Sequence, residues 1–234
     1  YPAYTGKKNE MLKNIGDMTV PAGTRIQWKF NTRNVEKLSL FFNNEPQTAE
    51  KTSDDSYQTL KRFLQSEVMT LKTANGHMQS NDSVRYAINV IPDTYPQIDF
   101  KQRKDSLSAK LFYFIGELND DYGISKLTFN YRFTESEDQG KSSGGYKTVP
   151  IKLSTNQKNQ TFYYYWNLND LNVKSADKVE YYFEVWDNDG VHGSKSTRTV
   201  SNMYAAPTAK EIDKETEEKN QEIKADLKDN MKDL

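Results

Sequence analysis

Aspartates concentrate in the segment YYFEVWDNDGVHGSK at positions 181–195, which also contains one of the two histidines of the chain. Asp187, Asp189 and Gly190 follow part of the spacing of an acidic calcium loop, in which carboxylate oxygens bind the ion and a glycine makes the turn. No third carboxylate and no closing glutamate follow, so the segment is incomplete as a loop site. A calcium site assembled between domains is the alternative, and its candidate ligands are Asp93, Asp120, Asp121, Asp187 and Asp189.

The same segment fits a hairpin at the end of a strand. Asp, Asn and Gly supply the positive φ angles and the side-chain-to-backbone hydrogen bonds that tight turns require. The motif WDNDG at 186–190 directly follows a β-rich run, where an immunoglobulin-like fold turns into its last strand. We therefore predict a tight hairpin here and no cofactor, with calcium between domains as the alternative.

The residues for catalysis are few. The chain has no cysteine, which excludes thiolate nucleophiles and cysteine-bound zinc. His77 and His192 each lie in a glycine-containing turn without a neighbouring His or Cys at ligand spacing, so both are interpreted as surface turn residues. Nucleophile elbows, phosphate-binding glycine loops and HExxH motifs are also absent from the sequence. We expect no enzymatic activity and assign no catalytic residue.

An aromatic run, TFYYYWNLN, occupies positions 161–169. Side chains alternate between the two faces of a strand, so every second ring points to the core and Tyr163 and Tyr165 remain outside. Exposed tyrosines beside polar residues such as Asn167 can bind a glycan by stacking on sugar rings. A sheet surface that faces solvent or a neighbouring element is the other interpretation, and the pattern favours it.

The elements that position these residues are predicted to be strands. Apolar residues recur with a period of two, as for Ile26, Trp28 and Phe30 in RIQWKFN. Short runs of this kind alternate with turn signals rich in Gly, Pro, Asn and Asp, which is typical of an immunoglobulin-like β-sandwich. Positions 57–71 also fit a helix, but we predict a strand there. The predicted fold class is mainly β.

Internal matches indicate a duplication of this unit. The matching stretches begin at Ser80 and Ser175, at Val35 and Ile124, and at Tyr1 and Tyr95. We therefore predict two tandem immunoglobulin-like β-sandwich domains, at 1–94 and 95–206. The joint VIPDTYPQI between them contains two prolines, which favour an extended and stiff connection.

The composition changes after Pro207, where Gly, Pro and aromatic residues no longer occur. The apolar residues that fall on one helical face in this segment are Ile223, Leu227, Met231 and Leu234. We predict that 207–234 is the truncated start of an amphipathic C-terminal α-helix or coiled coil. The face formed by Ile223, Leu227 and Met231 is the predicted contact for a protein partner.

The charge of the whole chain narrows the function classes. Lys and Arg total 32 and Asp and Glu total 33 in 234 residues, so no global positive charge favours nucleic acid. No apolar run reaches the roughly 18 to 20 residues that a membrane-spanning helix needs. The sequence begins at Tyr1 without a leader, and we interpret it as a piece of a larger protein whose anchor lies elsewhere.

Several stretches together resemble large envelope proteins of Bacteroidota. They are YPAYTGKKNE with VPAGTRIQWKF, the joint VIPDTYPQI, the turn DDYGISKLTFNYRF and the hairpin VEYYFEVWDNDGVHGSKS. Those proteins are anchored in the membrane at the N-terminus and carry tandem immunoglobulin-like repeats before a long helical region. The resemblance implies a periplasmic location, at the outer side of the inner membrane, and it supplies no catalytic residue.

These features predict a non-catalytic structural or interaction segment with unidentified protein partners in the cell envelope. Two rigid sandwiches would act as a spacer that holds the helical region at a set distance from the membrane. A glycan-binding module and a domain pair stiffened by calcium, as in adhesion proteins, are the two alternatives.

Overall fold

The computed structural model describes residues 1–14, 16–76, 82–104, 110–142 and 144–230. The described chain is mainly β-sheet, as the period-two pattern predicts, and it ends in an α-helix. In the strand Thr24–Asn31, for example, Ile26, Trp28 and Phe30 pack on a core cluster while the residues between them are exposed. Burying one face of each strand removes apolar surface from water and drives the two layers together.

The first sandwich is formed by residues before the proline joint. Its strands are β1 (Met18–Pro21), β2 (Thr24–Asn31), β3 (Lys37–Phe42), β4 (Glu45–Gln47), β5 (Glu50–Ser53), β6 (Ser56–Phe63), β7 (Glu67–Ala74) and β8 (Val84–Ile91). One sheet has the order β1-β8-β7-β3-β4 and the other has the order β2-β6-β5. Because β6 and β7 cover most of positions 57–71, the strand prediction for that segment is confirmed.

The second sandwich follows the joint. Its strands are β9 (Gln97–Lys104), β10 (Leu111–Glu135), β11 (Lys147–Ile151), β12 (Gln157–Asn167), β13 (Lys178–Asp187), β14 (Ser196–Arg198) and β15 (Asn202–Ala205). Short helical turns occur at Ala3–Thr5, at Leu168–Leu171 and in α1 (Gln139–Ser142). Both predicted sandwiches are therefore present in the fold, and the bounds 1–94 and 95–206 stay a prediction.

Strand β10 is 25 residues long and belongs to both layers of the second sandwich. Its first half pairs with β9 and β12, and its second half pairs with β11 and β13. The change occurs at 120–123, where the register shifts and Gly123 has a φ of 149°. A Cβ on Gly123 would lie 3.0 Å from the backbone of Asn156, so only glycine fits this bend.

Aromatic rings fill the core between these layers. Phe183 on β13 is fully buried, and its ring centroid lies 5.2 Å from that of Phe114 and 5.1 Å from that of Phe129. Trp166 on β12 lies 4.8 Å from Phe129 in an edge arrangement. Such ring pairs stabilise a core beyond the area that they bury.

The internal matches have two different outcomes in the fold. The match between Val35 and Ile124 aligns β3 with the second half of β10, and both strands occupy the equivalent place between a short edge strand and the next long strand. The match between Ser80 and Ser175 aligns β8 with β13. These strands are not equivalent, because β8 lies beside the parallel strand β1 whereas β13 lies between β10 and the strands β14 and β15. The Val-x-Tyr pattern therefore reflects similar strand composition and not the same position.

The C-terminal helix α2 spans Ala209–Asn230. Thr208 and Glu211 start it with a reciprocal capping box, in which the Glu211 carboxylate accepts hydrogen bonds from the Thr208 backbone and hydroxyl, each at 2.8 Å. The helical residues with a described side chain are exposed to solvent. Within the described residues, no helix is both long enough and apolar enough to span a membrane.

Candidate functional site

Four segments meet where the second sandwich faces the first. They are the β10 bend at 120–123, the loop 188–195 between β13 and β14, the connecting segment 92–96, and the N-terminal residues around Tyr4. We call the acidic cluster in this region, Asp93, Asp120, Asp121, Asp187 and Asp189 with Lys195, the junction cluster. It contains all five aspartates that the sequence indicates for a calcium site between domains.

Lys195 lies among three of the carboxylates. Its ammonium forms ion pairs with Asp93, with Asp187 at 2.7 Å and with Asp189 at 3.4 Å. The three carboxylate side chains are at most 2% exposed and that of Lys195 is 18% exposed. Buried charges of this kind must be paired, because the loss of hydration costs several kcal/mol per ion. The pairs raise the pKa of Lys195 above its usual range, although burial alone would lower it.

Backbone hydrogen bonds fix the carboxylates of the loop. Asp187 Oδ1 accepts from the N–H of Lys195 at 2.8 Å and from that of Asp189 at 3.2 Å. Asp189 Oδ1 accepts from the N–H of Val191 at 2.6 Å and from that of His192 at 3.3 Å. Burial is the largest influence on Asp189 and raises its pKa, but these N–H groups and Lys195 outweigh it and leave the pKa below the usual value.

Asp120, Asp121 and Asp93 form the other side of the cluster. Each of the three places one carboxylate oxygen within 4.8 Å of the oxygens from the other two. Asp120 Oδ2 accepts from the N–H of Tyr122 at 2.9 Å and from that of Gly123 at 2.6 Å, which holds it at the β10 bend. Asp121 accepts a hydrogen bond from the hydroxyl group of a threonine in the connecting segment at 2.9 Å. A loop of one sandwich and the connecting segment thus share one acidic group.

The electrostatics of this side are unfavourable to ionised carboxylates. Burial raises the pKa of Asp93 to about 7 despite its bond to Lys195, and the charges of Asp121 and Asp187 raise it further. Burial also raises the pKa of Asp120, against the two backbone N–H groups that lower it. One ammonium does not balance five aspartates, so the cluster can bind an additional proton or cation.

Direct contacts between the sandwiches surround the cluster. Tyr4 lies edge-on to Tyr122 with 5.0 Å between the ring centroids, and its hydroxyl donates to the Ala22 carbonyl at 3.0 Å. Asn188 Nδ2 donates to the Tyr4 carbonyl at 3.1 Å. The N-terminal residues therefore bond to both sandwiches at once.

Gly23 lies at a close contact between the two sandwiches. It lies in the turn between β1 and β2 with a φ of 84°. A Cβ at this position would lie 2.6 Å from Val191 Cγ2 of the opposite loop, a distance that van der Waals repulsion forbids. The junction is thus closely packed as well as ion-paired.

The five aspartates were predictable from the sequence, whereas the roles of Lys195, Tyr4 and Tyr122 were not predicted. A buried acidic group requires a cation, and Lys195 is the only lysine or arginine of the hairpin segment 181–195, which is the signal that was available. The hairpin prediction is confirmed by the antiparallel pairing of β13 and β14, but the connection spans 188–195 and is not a tight turn. His192 lies in this loop, 3.4 Å from Asp189, with its side chain half exposed.

The predicted aromatic surface lies on β12. Tyr163 is 73% exposed and Tyr165 is 48% exposed, as strand alternation predicts. Tyr165 packs against Tyr113 of β10 with 5.2 Å between centroids, and a shallow cavity of about 280 Å³ lies beside Arg103. Asn167 is at the end of the strand, where its side chain caps the turn at 168–171 instead of facing the cavity. Its prediction as a ligand residue has no support from this geometry.

The other predicted contacts lie on or beyond α2. Ile223 and Leu227 are 56% and 57% exposed and form an apolar face without a described partner. Met231, the third residue of the predicted face, lies outside the described residues. His77, which the sequence places in a turn, also lies outside them.

The family model for the domain of unknown function DUF4175 matches residues 1–201, so the chain belongs to this family. The match covers the first sandwich and the second sandwich up to β14, and it ends before β15 and α2. Among curated proteins, none matches the chain.

Several solved structures are similar to parts of the chain. A provisionally assigned carbohydrate-binding protein from Bacteroides uniformis has 12% identity and a TM-score of 0.31, with 75% of this chain and 90% of that chain covered. The fibronectin(III)-like modules of CbhA from Clostridium thermocellum have 11% identity and a TM-score of 0.28, with 85% and 93% covered. A DUF3823 family protein from Bacteroides ovatus has 13% identity and a TM-score of 0.27, with 78% and 95% covered.

Proposed function

We propose that this DUF4175 chain is a non-catalytic structural and interaction segment of a larger protein in the bacterial cell envelope. The two sandwiches form a rigid spacer, and α2 continues it toward a protein partner. Periplasmic location and a membrane anchor outside this chain are part of the proposal, and the resemblance of the sequence to anchored envelope proteins of Bacteroidota supports them.

The observation that carries the proposal is the junction between the sandwiches. A connection made only by the segment 92–96 would leave the sandwiches free to change their relative orientation. Here Lys195 of the second sandwich pairs with Asp93 in the connecting segment, and Asn188 bonds to Tyr4 beside the first sandwich. Buried ion pairs require one specific geometry to offset the cost of removing the charges from water, so they favour one orientation.

The composition of the junction also supports a structural rather than a catalytic role. The carboxylates of Asp187 and Asp189 are used by backbone N–H groups and by Lys195, which leaves neither one available as a general base. His192 donates its backbone N–H to Asp189, and among the described residues no nucleophile is paired with its imidazole.

The helix is the proposed binding element because its apolar face lacks a covering element in the described chain. Exposed apolar residues at helical spacing are typical of surfaces that pack on another helix or on a groove. Ile223 and Leu227 have this spacing.

In-cell crosslinking tests the role of the helix. The full-length parent protein is compared with the same protein truncated after Pro207, and with two full-length variants, I223E/L227E on the apolar face and E217A/Q221A on other faces of the helix. The proposal expects one defined set of crosslinked envelope proteins to be lost in the truncation and in I223E/L227E and to be kept in E217A/Q221A. Retention of the same partners in the truncated protein would refute the role of the helix and place recognition on the sandwiches.

A glycan-binding function is the second candidate, and the exposed Tyr163, Tyr165 and Tyr113 beside a cavity are the observation that favours it. Tyrosine faces on a flat sheet can stack on sugar rings. Binding to an envelope polysaccharide that is lost in Y163A/Y165A would establish this function. A glycan array without any signal would exclude it for the sugars on the array.

A further inference from the structure

The junction cluster contains more negative charge than its own residues neutralise. In the described part of the chain, Lys195 is the only lysine or arginine that forms an ion pair with any of the five aspartates of the junction cluster. It contacts Asp93, Asp187 and Asp189, which leaves Asp120 and Asp121 without a basic partner at ion-pair distance among the described residues. Carboxylates that converge in a buried place without a cation repel each other, and one of them must then take up a proton or bind a metal ion.

Two carboxylate oxygens on that side have no hydrogen-bond partner. Asp93 Oδ1 and Asp120 Oδ1 are both buried and neither is paired within the described residues. The side chain of Asp93 is 2% exposed, and Asp120 as a whole is 6% exposed. Buried polar atoms in folded proteins are almost always satisfied, so an orphaned pair of oxygens in one acidic group indicates a ligand that these oxygens bind.

We infer that the junction binds one calcium ion through the carboxylates of Asp93, Asp120 and Asp121. Lys195 stays bound to Asp93 Oδ2 and paired with Asp187 and Asp189, which leaves Asp93 Oδ1 for the ion. The ion thereby joins the connecting segment to the β10 bend of the second sandwich.

The spacing of the three oxygens suits calcium. Ca²⁺ binds oxygen at about 2.3 to 2.6 Å, so two ligands on opposite sides of the ion lie up to about 5.2 Å apart. The three carboxylate oxygens lie within 4.8 Å of one another. Mg²⁺ requires about 2.1 Å and a nearly ideal octahedron, and it is usually bound by only one or two carboxylates. A site with three carboxylates therefore favours calcium over magnesium.

This inference deepens the proposed function, because an ion at the junction would stiffen the spacer that the proposal describes. The calcium site can be tested whether or not the sandwiches act as a spacer. Calcium binding and the relative motion of the sandwiches are separate measurements.

The experiment is isothermal titration calorimetry of the whole 234-residue chain with CaCl₂ after treatment with chelator, repeated with MgCl₂. Three variants accompany it. D121N changes the most accessible proposed ligand, D93N changes the buried one, and D54N removes a fully exposed aspartate of the first sandwich as a matched control. Asp120 is not replaced, because its carboxylate also caps the β10 bend. Circular dichroism confirms that each variant is folded.

We expect calcium to bind with one site per chain at sub-millimolar to millimolar concentration, as in extracellular calcium modules. D121N and D93N should weaken binding by about tenfold or more, because the number of charged ligands sets the affinity, and D54N should leave it unchanged. No calcium binding up to about 10 mM, or equal weakening in D54N, would overturn the inference. Equal affinity for magnesium would overturn the assignment to calcium.

The outcomes also separate this inference from the proposed function. A protein that binds no calcium but has one fixed arrangement of its sandwiches would disprove only the calcium site. A protein that binds calcium while its sandwiches move freely would disprove the rigid spacer and leave the site intact.

Discussion

Lys195 forms an ion pair with Asp93 across 102 positions of sequence. Lys195 ends the loop between β13 and β14, and Asp93 lies in the connecting segment after β8. Both side chains are largely buried. This contact therefore binds the connecting segment 92–96 to the loop 188–195 of the second sandwich. We therefore expect the ion pair to restrict the orientation of the two sandwiches more than the prolines of the joint do alone.

Replacing Lys195 should strongly destabilise the second sandwich. In K195Q the buried carboxylates of Asp93 and Asp187 lose their cation, and breaking a buried pair by removing one partner costs about 3 to 5 kcal/mol. Unfolding by denaturant gives the free energy of unfolding of K195Q and of the wild type. K152Q, which changes an exposed lysine after β11, is the matched control and should lie within about 0.5 kcal/mol of the wild type. Equal stability of K195Q and K152Q would show that the ammonium is not needed.

Gly23 should tolerate no side chain at the contact between the sandwiches. G23A introduces a Cβ that would overlap Val191 and requires a residue other than glycine to keep a φ of 84°. Overpacking and strain together should cost about 1 to 3 kcal/mol. Limited proteolysis of the segment 92–96 should become faster as the contact opens. Adding V191A should restore part of the loss, since it removes the overlap but not the strain; no rescue would show that Val191 is not the contact.

Phe183 should be among the strongest determinants of stability in the second sandwich. Its ring is fully buried, and its centroid lies within 5.2 Å of the centroids of four other aromatic rings. F183A removes these contacts and leaves a cavity, which costs about 3 to 5 kcal/mol. Thermal unfolding of Y163A, in which an exposed ring of the same sandwich is removed, provides the comparison and should change little. A similar loss in both variants would contradict the core that we describe.

The helix α2 should contribute almost nothing to the stability of the sandwiches. Its described side chains are exposed, so a chain that ends at Pro207 loses no buried apolar area. The free energy of unfolding should change by less than about 0.5 kcal/mol. Near-UV circular dichroism during thermal unfolding follows the aromatic core without interference from the helix. A clear destabilisation on truncation would show that α2 packs on a sandwich in solution.

Local patterns in the sequence predicted most of the secondary structure, because strand alternation is set by neighbours two positions apart. The alternation of Ile26, Trp28 and Phe30 and the exposure of Tyr163 and Tyr165 follow directly from it. The aspartates of the junction were identifiable as residues, since Asp187 and Asp189 lie in one loop and Asp120 and Asp121 lie in one bend.

Their long-range partners were not predictable in the same way. The approach of Lys195 to Asp93 and of Tyr4 to Asn188 depends on how two complete sandwiches pack, and no spacing in the sequence encodes that contact. The repeat pattern was also misleading for β8 and β13, because strands with similar alternation can occupy different places in a sheet.

If the junction holds the two sandwiches in one arrangement, the distance between a site in the first and a site in the second has a narrow distribution. The chain has no cysteine, so D54C in the first sandwich and K152C in the second provide two unique sites for spin labels. Pulsed electron paramagnetic resonance then measures the distance in the otherwise unchanged protein and in K195Q. We expect one narrow distribution in the otherwise unchanged protein and a broader one in K195Q. A broad distribution in the otherwise unchanged protein that K195Q does not alter would contradict it.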